Sequence, residues 1–258
     1  MSAEPPSSSD AARFFDRTSA TYRAKYTEAS PFHHYYFNER LAKATAGLDL
    51  TGKAVLDIGS GTGNLYDHLA PRFPGMRFFA TDVSAGMLAR SHVPEQDRFV
   101  GHAYDHRFPV QRFDAVFMLG VTTYMDPAEL DRNLAFIGRS LSPGGVAVIT
   151  FSHATGLDTW MRRLLMWPLR LFGRRDKVLS SGVRTRTYTV GAVRRALTPH
   201  LQLDELAFHN HTVFPFGLLL PGPSIALAHR IDRLPAGRWP HQWLSSDILV
   251  RCSAKRLL

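Results

Sequence analysis

The residues with the clearest chemical potential lie in one run, Asp57-Ile58-Gly59-Ser60-Gly61-Thr62-Gly63-Asn64, with Asp82 further along the chain. Three glycines at alternate positions remove the Cβ atoms from a turn, so the backbone can approach a ligand closely. A nicotinamide dinucleotide site asks for G-x-G-x-x-G, and its third glycine would fall at residue 64, where Asn64 stands. The spacing is instead D-x-G-x-G-x-G. A carboxylate beside the turn repels a pyrophosphate but tolerates a ligand with a cationic amino-acid group. Asp82 can accept from both hydroxyls of a ribose, because an ionised carboxylate only accepts. The competing reading of the loop is a purely structural strand-to-helix turn.

These residues need elements to hold them. Lys53–Ile58 is a short apolar run ending in the glycine turn, which reads as a buried strand followed by a helix start. Met76–Asp82 repeats the form, with a helix from Ser84. Arg98–Gly101, Phe113–Met118 and Val146–Phe151 read as further strands, and Pro127–Leu141 as a helix. Strands alternating with helices at this spacing predict a parallel sheet covered on both faces. Ahead of it, residues 10–47 form a helical lid broken at Pro31, and residues 1–9 read as a disordered tail. After Phe151 the rhythm breaks. Residues 152–187 form an Arg-rich insertion with a helix at 157–173. A helix at 190–198 and a strand at 201–208 resume the alternation. Residues 210–244 form a second insertion rich in Pro and Gly, and Asp247–Cys252 is a final strand, the seventh. Residues 10–258 thus read as a single domain, with its cofactor-binding core at 50–151.

Composition narrows the class. The 258 residues are 45% hydrophobic, 21% charged and 11% aromatic, which excludes a disordered chain. The single Cys252 excludes an intrachain disulfide and a zinc site built on several cysteines; it fits a reducing cytoplasm. The first ten residues lack the cationic and apolar regions of a secretory signal. Residues 1–150 carry 15 basic and 16 acidic residues, and residues 151–258 carry 16 and 6, so the whole net charge of +9 lies in the last two fifths. That half suits an acidic substrate, an anionic membrane, nucleic acid, or simply a solvated surface. Val213–Ala228 is uncharged but too short and too proline-rich to span a membrane, so it reads as a buried lid or core segment.

The motifs together resemble the class I methyltransferases that depend on S-adenosylmethionine, over about residues 50–150. The resemblance implies a Rossmann-like doubly wound α/β sheet, mostly parallel with a final antiparallel strand. It implies that Asp57, Gly59, Gly61 and Gly63 hold the amino-acid part of S-adenosyl-L-methionine, that Asp82 takes the ribose, and that Val83 and Met87 pack near the adenine. Phe113-Asp114 and Leu141–Gly145 match the opening of the fourth strand and the L-x-P-G-G turn before the fifth. Phe15, Asp16, Ala20 and Tyr22 resemble a helix lying over the cofactor, with Tyr22 closing the pocket. Leu119, after the fourth strand, joins the expected cofactor contacts. The chain departs from the family at Gly101-His102-Ala103, where an acid often receives the adenine amino group. A neutral His102 imidazole can accept that hydrogen bond, as can the Ala103 or Tyr104 backbone.

Methyl transfer from a sulfonium is an in-line displacement that needs alignment, exclusion of water and, for some acceptors, removal of a proton. His33, His34, His102, His106 and His153 are the histidines in reach of such a role. His153 follows the fifth strand and His34 lies in the lid, so these two are the candidate bases. No metal is expected. Both insertions leave the carboxyl edge of the sheet, where ligands bind. Phe214, Phe216, Leu218, Leu219, Leu220, Trp160 and Trp167 would give the cap an apolar, aromatic lining. The expected acceptor is an apolar or aromatic small molecule such as a natural product, a quinone or a lipid-like compound. The basic, Trp- and Leu-bearing segment 157–175 reads either as a lid helix or as a peripheral membrane contact. The alternatives are an RNA or protein methyltransferase and a non-catalytic cofactor-binding accessory protein. The absence of an [N/D]-P-P-[Y/F] turn after the fourth strand argues against methylation of nucleic-acid bases, and the intact loop and acids argue against the accessory role.

Overall fold

The computed structural model describes residues 8–27, 31–171, 185–235 and 239–255. Helices α1 (Ser8–Thr27) and α2 (Pro31–Thr45) open the described chain. The alternation follows as β1 (Ala54–Ile58), α3 (Asn64–Leu69), β2 (Arg77–Asp82), α4 (Ala85–Leu88), β3 (Arg98–Val100), β4 (Phe113–Met118), α5 (Pro127–Ser140) and β5 (Leu141–Ser152). Then come α6 (Leu157–Leu171), α7 (Val190–Leu197), β6 (Leu201–His209), α8 (Phe216–Leu219), α9 (Pro221–Asp232), α10 (Trp239–Leu244) and β7 (Asp247–Ala254). Residues 1–7 of the expected tail and the stretch 172–184 lie outside the described residues.

The seven strands run in the order β3-β2-β1-β4-β5-β7-β6, with β7 antiparallel to both neighbours. Alternate side chains of each inner strand serve opposite layers, as the two-residue period requires. Leu56, Val116 and Met118 pack with α5 and α7 residues such as Leu134, Ile137 and Val193. Val55, Ala115 and Phe117 pack with Leu65 and Leu69 of α3 and Ala44 of α2. Helix starts are capped: Asp126 Oδ1 accepts from Glu129 N at 2.8 Å, with Pro127 at the first helical position of α5. Strand order reverses between β1 and β4, so a crevice opens there at the carboxyl ends.

One local feature departs from the sequence reading, and the helical character expected of the insertions holds in the second of them. The Leu141–Gly145 turn lies within β5: pairing with β4 jumps from Phe113↔Leu141 to Ala115↔Val146, and the intervening residues form the irregularity, with Gly144 at φ +77°. Residues 210–244, proline- and glycine-rich by composition, carry three helices. Pro221 begins α9, where its missing N–H costs nothing. Among the described residues no helix is long and apolar enough to cross a membrane.

Candidate cofactor and acceptor site

The glycine turn leaves β1 with Gly59, Gly61 and Gly63 all at positive φ, 73°, 56° and 78°. Side chains resist this conformation. At Gly59 a Cβ would also collide with Val121, and at Gly63 with Ser91. Gly59 N and Ser60 N donate to Thr81 O at 2.8 and 2.9 Å, tying the loop to the end of β2. Asp82 is the hub of that end. Its Oδ2 accepts from Gly61 N and its Oδ1 from Ser84 N, both at 2.8 Å. Burial pushes Asp82 up to about 6 despite these hydrogen bonds. Asp57 is buried at the end of β1, and burial, with Asp82 nearby, pushes it up to about 8. A cationic group arriving between the two carboxylates would relieve both.

Two cavities meet at this point. The larger, about 460 Å³, is lined by Asp57, Gly59, Gly61, Asp82, Met87 and Leu119 on the loop side. The smaller, about 60 Å³, lies between Ile58, Val83, Gly101, His102, Val121 and Met125. Asp82 lines both, as do Gly59, Phe15, Val121 and Tyr124. The arrangement fits an amino-acid nucleoside. Such a ligand would set its amino acid by Asp57, its ribose by Asp82 and its flat base in the apolar slot. Val83 and His102 line the slot, whereas Met87 lines the larger cavity. Ala103 is fully buried at the start of a short 3-10 turn and lines neither cavity. His102 stacks on Tyr104 with ring centroids 4.9 Å apart, and its Nδ1 lies 3.3 Å from Glu129 Oε1. Burial lowers the His102 pKa, which keeps its imidazole neutral at pH 7.

Helix α1 roofs the junction. Asp16 Oδ1 accepts from Ser84 Oγ at 2.6 Å and from Gly86 N at 2.9 Å, fastening α1 over α4. Arg23 donates to Thr62 O at 2.8 Å and pairs with Asp67 at 2.5 Å, fastening the same helix over the glycine loop. Phe15 sets its ring 6.0 Å from Tyr22 and 5.2 Å from Tyr124, and Tyr22 lines the cavity.

The far end of the cavity is built by α2, α6 and the β6–β7 edge. One face of α2, with the helical spacing Phe32, His33, Tyr36, Phe37, Arg40 and Leu41, lines it. Tyr36 OH donates to Asp247 Oδ2 at 2.8 Å, and Arg40 hydrogen-bonds Tyr36 OH and lies 3.5 Å from the same carboxylate. Arg40 packs against Gly120, where a Cβ would strike its guanidinium. On α6, Asp158 accepts from Phe214 N and from Arg162 Nε, both at 2.7 Å, and Arg162 brings a cation to the wall. Behind α2, Glu39, His211 and Asp232 converge within 4.8 Å of one another, and the Lys43 ammonium pairs with both carboxylates, 2.7 Å from Glu39 and 2.6 Å from Asp232.

This wall differs from the expected one. His153 is fully buried, its Nδ1 within 3.1 Å of Ser245 Oγ and its Nε2 within 2.9 Å of Thr155 Oγ1, and it does not line the cavity. His34 is exposed on α2, beside Asn38, and is also absent from the lining; its neighbour His33 is the histidine that faces inward. The expected apolar cover is turned the other way. Phe216, Leu218, Leu219, Leu220 and Trp160 are exposed to solvent, Phe214 packs under Arg162, and the side chain of Trp167 lies outside the described residues. Tyr36, Arg40 and Asp247 escaped the sequence reading, because 211 positions separate Tyr36 from Asp247.

Comparison with known proteins agrees with the geometry. Residues 56–147 match the family described as "Methyltransferase domain". The fatty-acid O-methyltransferase of Mycolicibacterium smegmatis is 30% identical over 135 residues, 50% of this chain and 48% of that protein. The malonyl-[acyl-carrier protein] O-methyltransferase of Methylococcus capsulatus is 35% identical over 107 residues, 39% of this chain and 38% of that protein. The chain thus spans half or less of the curated relatives it matches. N-methyltransferase NodS from Bradyrhizobium japonicum, solved with S-adenosyl-l-homocysteine, shares the fold at a TM-score of 0.59 and 15% identity, over 95% of this chain and 98% of that one. Core motif, strand order and the paired cavities agree with these matches: residues 56–147 are similar to the methyltransferase-domain family, and the chain shares the fold of a solved methyltransferase.

Proposed function

We propose that this protein transfers a methyl group from S-adenosylmethionine to a small molecule with an apolar or aromatic body and a carboxylate. The observation that carries the reading is the junction of the two cavities at Asp82, with Asp57 on one side and the His102 slot on the other. S-adenosylmethionine supplies a methyl already activated as a sulfonium. Asp57 accepts from the ammonium of its amino-acid part, Asp82 accepts from the ribose hydroxyls, and the slot takes the base. Helix α1 closes over the junction and excludes water. Phe32, Phe37 and Leu41 hold the acceptor's apolar body, and Arg162 its anionic end. An ionised carboxylate is itself the nucleophile, so alignment suffices and no side chain need remove a proton. The two O-methyltransferase relatives support that choice of acceptor.

The test is titration with S-adenosylmethionine and S-adenosylhomocysteine, with NAD as control, followed by labelled methyl transfer to a panel of long-chain and aromatic acids and their amides. Binding of both nucleosides and transfer to acids but not amides is expected. Arg162→Met should raise KM for the acid by roughly ten- to hundredfold, the value of a charge-assisted hydrogen bond, and leave nucleoside affinity unchanged. Transfer to amides or alcohols alone would sink the carboxylate assignment, and binding of NAD alone would sink the whole reading.

A further inference from the structure

The exposed hydrophobic residues of this protein are not scattered. Eleven large ones are exposed among the described residues, and ten lie on or beside α6, α8, α9 and α10; Val100 is the exception. Leu219 is 71% exposed, Trp239 72% and Trp160 59%. Trp160 and Leu164 stand one turn apart on α6, and Trp239 and Trp243 one turn apart on α10, with rings 6.1 Å apart. These helices are joined: α10 packs on α6 and on α9, and α8 on α9. All four tryptophans of the chain belong to α6 and α10. Scattered apolar residues on a surface are ordinary, but a patch confined to one joined group of helices marks a contact surface.

The charges on the same helices identify the partner. Their two acids face inward: Asp158 is buried against Phe214 N and Arg162, and Asp232 pairs with Lys43 and His211. Arg163, Arg230 and Arg233 are exposed. In sequence, the stretch after α6 adds Arg174, Arg175, Lys177 and Arg184 against Asp176 alone. Tryptophan and leucine edged by arginine, with no outward acid, match an anionic lipid interface, where indole rings sit at headgroup level and basic groups meet phosphate.

We propose that the outer face of α6, α8, α9 and α10 docks on anionic bilayers and holds the protein at the membrane surface without spanning it. The docking stands independently of the methyl-transfer reading. It also places α6, which lines the cavity through Asp158, Thr159 and Arg162, next to the lipid.

The experiment is flotation of the full chain with vesicles of phosphatidylcholine alone and of phosphatidylcholine with phosphatidylglycerol, in low and high salt. Every tryptophan is in the cap, so intrinsic fluorescence reports docking directly, and a blue shift on the anionic vesicles is expected. Trp239→Ser with Trp243→Ser should weaken binding roughly tenfold or more. Arg230→Glu with Arg233→Glu should weaken it at least fivefold per residue and reduce its salt dependence. Melting temperatures should stay unchanged, because these side chains are exposed. Equal binding to neutral vesicles would overturn the assignment. So would no binding together with a concentration-dependent dimer that the tryptophan variants abolish, which would make a second copy the occupant.

Discussion

Under the proposed function, Asp57 would tie cofactor binding to proton release. Burial raises its pKa to about 8, whereas an unfolded aspartate titrates near 4. The folded, ligand-free protein therefore retains a proton that the unfolded chain loses. The stability from that proton is complete below about pH 4 and is lost as pH rises through about 8. A cation bound at the loop reverses this by favouring the carboxylate. The ligand-free melting temperature should fall from about pH 6 to about pH 8, while the thermal shift produced by S-adenosylhomocysteine grows across that range. Asp57→Asn should flatten both slopes and weaken binding by roughly ten- to hundredfold, read by calorimetry. The place of this residue and the glycines at one strand end and its turn was legible in the sequence because it is local. His153 was misleading for the same reason. Its position after β5 was right for a site residue, but Ser245, 92 positions away, turns its ring inward.

At the scale of elements, α1 and α2 cover different halves of one cavity and are held by different means. Asp16 holds α1 through two hydrogen bonds at the start of α4, so Asp16→Ala should free the roof without loosening the sheet. Faster amide exchange along α1 and roughly tenfold or more weaker nucleoside binding are expected, with the core protection unchanged. Helix α2 is held by Arg40, which meets Tyr36 and Asp247 in a buried cluster. Arg40→Met strands a buried carboxylate and should cost about 3–5 kcal/mol in chemical denaturation. Arg40→Met with Asp247→Leu should cost less than half of that, since no charge remains unpaired. Periodicity revealed α2 as a helix but not its partner, because nothing local in residues 31–45 points to the first residue of β7. The direction of the cap failed to show for a related reason. Apolar residues in 210–244 satisfy a buried lid and an outward face equally, and only the packing of α9 on α2 decides which way they look.

The whole molecule divides its charge as it divides its work. The half that holds the glycine loop, Asp57 and Asp82 is nearly neutral, and the half that carries the cap holds the positive excess. That asymmetry was visible in composition alone, and the alternation of strands and helices predicted the layered sheet. Strand order was not visible, since the place of β7 between β5 and β6 depends on pairings across the sheet. That placement governs how the chain can be made. β6 emerges from the ribosome before β7, yet it cannot join the sheet until β7 lies between it and β5. The edge of β5 therefore waits unpaired through roughly a hundred residues, some 5–20 s at about 5–20 residues per second. Throughout that wait the nascent chain presents a bare apolar edge, the kind that aggregates or recruits a chaperone. The end of the cavity that Asp247 walls is completed last, so a half-made chain has loop and roof around a cavity still open on its far side.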